Sequence, residues 1–121
     1  ECNEGTIWEA AMFAAGHNIH NLTAIVDFNK WQATGRSEDI LHLSPLDRKF
    51  AAFGFETFVV DGHNFNQLSD ALLASIQSSR PCAIIADTVK GKGVSFMEDD
   101  NNWHYRTPND EELARALEEL D

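Results

Sequence analysis

The chain has 121 residues, of which 43% are hydrophobic and 24% charged, and this globular composition leaves room for one domain. Its 20 acidic and 9 basic residues give a formal net charge of −11 at pH 7. We expect no nucleic-acid or anionic-membrane partner, because phosphate contacts need clustered lysine and arginine. No apolar run approaches the roughly 18 residues that a membrane-spanning helix needs.

The first third of the chain predicts a helix followed by a strand. Residues 4–15 place apolar side chains on one helical stripe, with Asn3 as the N-cap and Gly16 at the end. Residues 22–27 (LTAIVD) form a continuous apolar run with β-branched members, which is typical of a strand buried on both faces. A polar loop is expected over residues 28–44.

The remaining residues continue the alternation. The predicted elements are a helix over 46–53, a strand over 55–60, a helix from Asn64 or Asn66 to about 78, a strand over 82–88 and a last helix over 109–120. Leu68, Leu72 and Ile76 recur every four residues as the apolar face of the middle helix. Residues 95–108 are expected to be irregular. Residues 98–121 carry nine acidic and two basic side chains, which predicts a solvated acidic surface.

Alternating helices and short apolar strands indicate an α/β fold with a parallel sheet. In such sheets ligands bind beyond the carboxyl ends of the strands. We therefore expect ligand-binding or catalytic residues directly after the three predicted strands, at 29–32, 61–64 and 90–93.

Polar groups that suit a metal or a phosphate follow these strands. The amide oxygen of Asn29 and the neighbouring carbonyls are hard ligands for Mg²⁺ or Ca²⁺ shared with a substrate phosphate, although an asparagine here also suits a self-capped turn. The KGKG run at 90–93 offers glycines and ammonium groups to a phosphate. It matches neither the phosphate-binding pattern G-x-x-x-x-G-K-[ST] nor the dinucleotide-binding pattern G-x-G-x-x-G. His63, in VDGH, is expected to be exposed in a tight glycine turn.

Other titratable residues leave alternatives open. His104, in NNWHYR, suits donation to a phosphate or proton transfer near neutral pH, and equally suits packing beside Trp103. Glu4 and Glu9 are five positions apart on the first helix and by themselves predict exposed carboxylates.

The two cysteines, Cys2 and Cys82, lack metal-ligand spacing. We therefore expect free thiols and a reducing, cytoplasmic compartment. Residue patterns alone lead to an α/β domain suited to a phosphorylated ligand and a divalent metal.

Four segments together resemble one protein family. They are, in chain order, ECNEGTIWEAAMFAAGH, NLTAIVDFNKWQATG, FAAFGFETFVVDGH and DTVKGKGVSFMEDDNNWHYRTPNDEE. In order and spacing they resemble the diphosphate-binding domain of transketolases, most nearly the short N-terminal subunit of split bacterial transketolases. The resemblance covers essentially the whole chain. It implies a three-layer α/β fold with a mostly parallel sheet and helices on both faces.

The resemblance implies roles for four residues, with thiamine diphosphate and Mg²⁺ (or Ca²⁺) as cofactors. Asn29 matches the asparagine that closes the family's cofactor motif, ligates the metal and contacts the diphosphate. Trp31 matches the position whose backbone carbonyl also ligates the metal. Lys90 lies at the strand-end position beside the thiazolium ring, where full-length transketolases commonly have isoleucine, and we expect it to reach phosphate. His104 matches the histidine that contacts the diphosphate and the donor substrate, and it is the expected catalytic residue.

The resemblance also implies that the domain does not act alone. Glu4 matches a carboxylate of the family's dimer interface, and Glu9 matches a helix carboxylate near it. Glu1 falls where the residue after the family's GDG would be, so we expect the single domain of residues 1–121 to be N-terminally truncated and to lack the metal's aspartate ligand. The cofactor-activating glutamate belongs to a pyrimidine-binding domain on a partner chain or on a longer form of this one. We expect a dimer of heterodimers or a homodimer of the full chain.

The implied function is the transfer of a two-carbon ketol unit between sugar phosphates, as in the pentose phosphate pathway. One alternative is another thiamine diphosphate enzyme, such as a 1-deoxyxylulose-5-phosphate synthase, and another is a non-catalytic assembly domain of the same fold. The NEGTIWEA and MEDDNNWH segments favour transketolase, whereas the arrangement of GKG and WH is shared with the synthase.

Overall fold

Helices and strands alternate along the chain in a computed structural model that describes all 121 residues. The elements are α1 (Gly5–Gly16), β1 (Thr23–Phe28), β2 (Trp31–Gln32), β3 (Gly35–Arg36), α2 (Ser37–Ile40), α3 (Leu46–Ala52), β4 (Glu56–Asp61), α4 (Phe65–Gln77), β5 (Cys82–Asp87), a 3₁₀ helix (Asn101–His104) and α5 (Asp110–Leu120). The predicted α/β class is confirmed. None of the helices is both long and apolar enough to span a membrane.

The main sheet has three parallel strands in the order β1-β5-β4. Val26, Ile85 and Val59 lie side by side in this register. Residues 82–86 of β5 are all buried because this strand is central, which explains its unbroken apolar run. A separate hairpin pairs β2 with β3, antiparallel, directly after β1.

One face of the sheet packs against α1 and α3. The core on this side joins Ala11 and Ala14 of α1 to Phe50 of α3 and to Ala83 and Ile85 of β5. Small side chains on α1 allow the helix to approach the aromatic rings closely. This packing places the start of α1 near the end of β1 and the turn at Asn29 that follows it.

The opposite face packs against α4. Side chains alternate along a strand, so Cys82 and Ile84 point away from the face that carries Ala83 and Ile85. The Cys82 Sγ contacts the Ser75 carbonyl of α4 at 3.9 Å, and the Thr23 and Ser75 hydroxyls hydrogen-bond at 3.0 Å. Helices therefore cover both faces, and the expected three-layer arrangement is confirmed.

Two burial predictions are wrong. Leu72 and Ile76 are exposed, and α4 instead buries Ala71 and Ser75 against the sheet. The strand β1 is not buried on both faces, because it lies at the edge of the sheet and Ile25 is 57% exposed. Periodicity identifies an apolar face but does not identify the neighbour that covers it.

Local details also differ from prediction. Asn3 does not cap α1; Glu4 holds the N-cap position without a side-chain bond, and the Asn3 amide bridges Gln32 and the Leu41 carbonyl. The predicted loop over 28–44 contains the β2–β3 hairpin and α2, and the segment 95–108 contains the 3₁₀ helix. These short elements are stabilised by long-range bonds that local patterns do not reveal.

Candidate functional site at the carboxyl edge of the sheet

The three parallel strands end together at one edge. Phe28, Asp87 and Asp61 are in register at this edge. The N–H of Gly62 donates to the Asp87 carbonyl at 2.7 Å, and a Cβ at Gly62 would overlap the side chain of Thr88. Glycine therefore allows the chain after β4 to approach the chain after β5 closely. The three segments predicted to carry chemistry are thus brought together.

A cavity of about 850 Å³ lies beside this edge. Its walls include Asn29, Trp31, Lys90 and His104, the four residues predicted to bind cofactor or metal, as well as Glu4. Glu9 does not line the cavity and is exposed on α1. One cavity can therefore bring amide and carbonyl oxygens, an ammonium group and an imidazole to a single ligand.

Asn29 begins a tight turn between β1 and the hairpin. Its Oδ1 accepts a hydrogen bond from the Trp31 N–H at 2.9 Å, so the self-capped turn predicted as an alternative is present. Lys30 between them has a φ of 67°, which is uncommon for a residue with a side chain. An amide oxygen has two lone pairs, so one remains for a cation.

Lys30 links the turn between Asn29 and Trp31 to the end of β5. Its ammonium group pairs with Asp87 and donates to the Thr88 carbonyl at 3.0 Å. Charge-assisted bonds of this kind compensate for the positive φ at the turn.

The side chain of Trp31 is held by an ion pair. Its indole N–H donates to Asp99 Oδ1 at 2.8 Å, and the guanidinium of Arg36 lies 3.7 Å from the ring centroid and donates to both Asp99 oxygens. The hydrogen bonds from Arg36, and secondarily that from Trp31, lower the pKa of Asp99 to about 2.

The turn that carries Lys90 is closed by its glycines and by His63. Gly91 has a φ of 71°, which glycine adopts at little cost. The Val89 N–H donates to His63 Nε2 at 2.8 Å, so the exposed histidine has a definite partner that its sequence position did not reveal. None of the ion pairs in the structure uses Lys90, whose ammonium group is available to an anion.

His104 ends the 3₁₀ helix, and its ring is exposed. It contacts Tyr105 edge to face with the ring centroids 4.8 Å apart, so the predicted packing beside Trp103 is not its aromatic contact. The 3₁₀ helix begins after Asp100, whose carboxylate accepts from the Asn102 N–H at 2.9 Å. The imidazole is therefore free to meet a ligand in the cavity.

Sequence reasoning missed the residues that join the loops. Lys30 and Asp99 carry no local signal of function, although each makes an ion pair across more than 50 positions of sequence. Lys30 and Asp99, which make these ion pairs, also have positive φ angles of 67° and 55°. No local pattern identifies such partners, because they meet only after the strands have paired.

The groups present fit a diphosphate and a divalent cation. Asn29 Oδ1 and the Trp31 carbonyl are oxygen donors of the kind that Mg²⁺ and Ca²⁺ prefer, and Lys90 supplies a positive charge for phosphate. No three histidine, cysteine or carboxylate side chains converge on a metal position, so a cation here would rely on these neutral oxygens and on the phosphates. Fold and site together define an α/β domain with a ligand cavity at the carboxyl ends of parallel strands.

Comparison with known proteins identifies the family. The family model described as "Transketolase, thiamine diphosphate binding domain" matches residues 1–120. The chain therefore belongs to the transketolase thiamine diphosphate-binding domain family.

Curated relatives agree with this assignment. The chain is 42% identical to an apulose-4-phosphate transketolase subunit of Actinobacillus succinogenes over 99% of this chain and 44% of that protein. It is 39% identical to the 6-deoxy-6-sulfo-D-fructose transketolase subunit SqwG of a Clostridium species, over 100% of this chain and 44% of that protein. The chain thus spans less than half the length of these relatives. The names support transketolase over the alternative thiamine diphosphate enzymes.

Solved structures share the fold. The transketolase of Campylobacter jejuni superposes with a TM-score of 0.91 at 29% identity, over 98% of this chain and 18% of that one. The transketolase of Leishmania mexicana gives a TM-score of 0.76 at 20% identity, over 98% of this chain and 21% of that one, and at that identity it supports the fold alone.

Proposed function

We propose that the chain is the diphosphate-binding part of a thiamine diphosphate-dependent transketolase that moves a two-carbon ketol unit between sugar phosphates. The observation that carries this proposal is that Asn29, Trp31, Lys90 and His104 line one cavity at the carboxyl edge of the sheet. Membership of the thiamine diphosphate-binding domain family supports it.

Asn29 and Trp31 would hold Mg²⁺ or Ca²⁺. The turn from Asn29 to Trp31 forms part of the cavity wall, and Lys30 links this turn to Asp87. The Asn29 amide oxygen and the Trp31 carbonyl oxygen are neutral, so the cation would keep most of its charge for the phosphates. No cluster of carboxylates lies among the residues present, so the phosphates would supply the anionic ligands of the cation.

Lys90 and His104 would contact the phosphates and the substrate. The Lys90 ammonium can neutralise diphosphate charge as a point charge. The His104 imidazole can donate to a phosphate oxygen or exchange a proton with a substrate hydroxyl near neutral pH, which is the catalytic role assigned to it. Bound thiamine diphosphate would supply the stabilised carbanion that two-carbon transfer requires.

We propose that a pyrimidine-binding domain completes the active site, either on a partner subunit or elsewhere in a longer form of this chain. The cavity runs along the unpaired edge of β1, and Glu4 lies at its wall while Glu9 lies further along the exposed side of α1. We place Glu4 and Glu9 in a subunit interface on this side. The assembly would be a dimer of heterodimers, or a homodimer if both domains share one chain.

The proposal also covers the cellular compartment and the pathway. Both cysteines are free, which suits a reducing cytoplasm. We place the reaction in the pentose phosphate pathway or in a related conversion of sugar phosphates. The two relatives described above are named for different substrates, so the assay needs several ketoses.

Calorimetry tests the proposal directly. Thiamine diphosphate with Mg²⁺ is titrated into the natural-length protein, alone and with its pyrimidine-domain partner. We expect saturable binding that requires Mg²⁺ and is strengthened by the partner. Ketol transfer from xylulose 5-phosphate, apulose 4-phosphate and 6-deoxy-6-sulfofructose is then assayed with the assembled protein.

The outcomes separate the alternatives. Binding followed by transfer from any of these ketoses supports the proposal. Binding without transfer from any of them would contradict the transketolase reaction and leave another thiamine diphosphate reaction. No heat with or without the partner would overturn the cofactor role and favour an assembly domain.

A further inference from the structure

Asp99 connects both sides of the candidate site. Its carboxylate accepts from the Trp31 indole N–H at 2.8 Å and from both terminal nitrogens of Arg36, while its own N–H donates to the Lys90 carbonyl at 2.8 Å. One residue therefore contacts a proposed metal-ligand residue through its side chain and a proposed phosphate-binding residue through its backbone.

The chain after Asp99 holds the same hairpin. The Asn101 amide donates to the carbonyls of Gln32 and Ala33, each at 3.0 Å, and the Tyr105 hydroxyl donates to the Ala33 carbonyl at 2.9 Å. The Oδ1 of Asn101 is buried without a hydrogen-bond partner, so its amide is oriented by the two carbonyls alone. Residues 99–105 thus attach the segment with His104 to the hairpin that follows Asn29.

We propose that Asp99 is a positioning residue that ties the Asn29–Trp31 turn to the Lys90 turn and so brings the two halves of the metal–diphosphate site to one cavity. This inference rests on the proposed function. Asp99 is not one of the proposed metal or phosphate ligands, and it does not line the cavity. Its role is to orient the residues that do.

The geometry explains why a carboxylate is needed here. Arg36 presents a planar fork that both Asp99 oxygens can meet, and one of these oxygens also serves the indole. An asparagine retains one acceptor oxygen but replaces the other with an N–H₂ group, which would face the guanidinium donor. The turn would then be free to shift relative to Lys90.

The test uses Asp99→Asn in the natural-length protein assembled with its partner. We expect the apparent Mg²⁺ concentration that supports thiamine diphosphate binding to rise about tenfold, the range typical for loss of a group that orients a metal ligand. Saturating Mg²⁺ should restore most of the turnover. The second variant, Arg36→Lys, removes the fork while keeping the charge and should change the Mg²⁺ requirement in the same direction.

The contact between Asp99 and the Trp31 indole can be monitored by NMR in the absence of the cofactor. The indole N–H resonance of Trp31, assigned with Trp31→Phe, should move towards the position of a solvent-exposed indole in Asp99→Asn. The matched control is Glu119→Gln, the same chemical change at a carboxylate that holds Ser95 instead of the hairpin. It should leave both the resonance and the Mg²⁺ requirement unchanged.

The outcomes are distinct. A moved resonance together with a raised Mg²⁺ requirement that Glu119→Gln does not share supports the positioning role. A moved resonance with Mg²⁺ dependence within twofold of wild type would overturn it, and so would an unmoved resonance. Absence of Mg²⁺-dependent binding in the wild-type assembly would instead refute the proposed function, and the inference with it.

Discussion

Asn29 combines a local contact with a proposed ligand role. Its side chain closes the turn by accepting from the Trp31 N–H, and its second lone pair is directed to a cation in our proposal. Asn29→Ala removes both, so we expect the dissociation constants for Mg²⁺ and thiamine diphosphate to rise together by about tenfold or more. Calorimetry on the assembled protein measures both. Asn66→Ala, on the exposed surface of α4, is the control, and unchanged affinities in Asn29→Ala would remove Asn29 from the site.

The exposed ring of His104 allows its chemical role to be separated from packing. Because the side chain contributes little to the core, His104→Ala should preserve the fold and should weaken cofactor binding less than it lowers turnover. Turnover should fall about 100-fold, as is usual for loss of a proton-transferring group. Steady-state kinetics and calorimetry together give this comparison. His20→Ala, in the exposed segment before β1, serves as the control, and normal turnover in His104→Ala would contradict the catalytic assignment.

Gly91 is required by the turn that carries Lys90. Its φ is 71°, and a Cβ there would lie 2.5 Å from the Met97 carbonyl oxygen. Gly91→Ala should therefore lower the free energy of unfolding by about 1–3 kcal/mol, measured by urea denaturation. Gly16→Ala, at the end of α1 where a Cβ meets nothing within 4 Å, should cause no such loss. Equal stability of the two variants would show that the 90–93 turn tolerates a side chain.

At the level of elements, α5 illustrates how a local signal determines a helix end. The Asn109 Oδ1 accepts from the Glu112 N–H at 2.9 Å, and Glu112 accepts in return from the Asn109 N–H at 3.0 Å. This capping box agrees with the predicted start of the last helix.

Several carboxylates of the acidic segment at residues 98–121 also accept hydrogen bonds, including Glu98, Asp99 and Glu119. The segment is therefore less freely solvated than its charge predicts.

The capping box also predicts a pH dependence. The bond from the Asn109 N–H, followed by that from Arg106, lowers the pKa of Glu112 below its ordinary value of 4.5 in the folded state. The stabilisation is therefore present above pH 4.5 and is lost as the pH falls through the lowered folded value. In Glu112→Gln the thermal midpoint should be lower at pH 7 and should change less with acidification over this window.

Thermal unfolding between pH 3 and pH 7 checks this expectation. Glu111→Gln is the matched control, because Glu111 lies in the same first turn and makes no capping bond. A pH profile of Glu112→Gln that parallels the wild type would show that the box does not stabilise the fold.

At the level of the whole molecule, α1 leaves an apolar surface uncovered. Met12 and Phe13 are 58% and 60% exposed and lie on the helix that carries Glu9. Since our proposal places the subunit interface on this side, Phe13→Glu should weaken assembly with the partner about tenfold or more, as expected for an interface aromatic. The fold should persist because the side chain lies outside the core.

Sedimentation of the assembled protein measures this effect. Leu73→Glu provides a comparison, because Leu73 is similarly exposed on α4, across the sheet from α1. If Phe13→Glu assembles as tightly as wild type, the interface lies elsewhere.

Local sequence patterns determined the succession of elements and predicted part of the candidate site. Apolar runs, caps and glycines act within a few positions, and they place the ends of β1, β4 and β5 to within a residue or two. Because parallel strands carry ligands at their carboxyl ends, the positions of Asn29 and Lys90 marked them as candidates, and the family resemblance specified roles for them and for Trp31 and His104.

Only the tertiary structure decided which of these residues meet and what holds them. The order β1-β5-β4 leaves β1 at the edge, exposes Ile25 and opens the cavity beside Asn29. The contact of Asp99 with Trp31 spans 68 positions and exists only because the chain returns across the ends of the strands. Periodicity is a property of neighbours in sequence, whereas these pairings depend on the free energy of packing the entire sheet, which no single segment encodes.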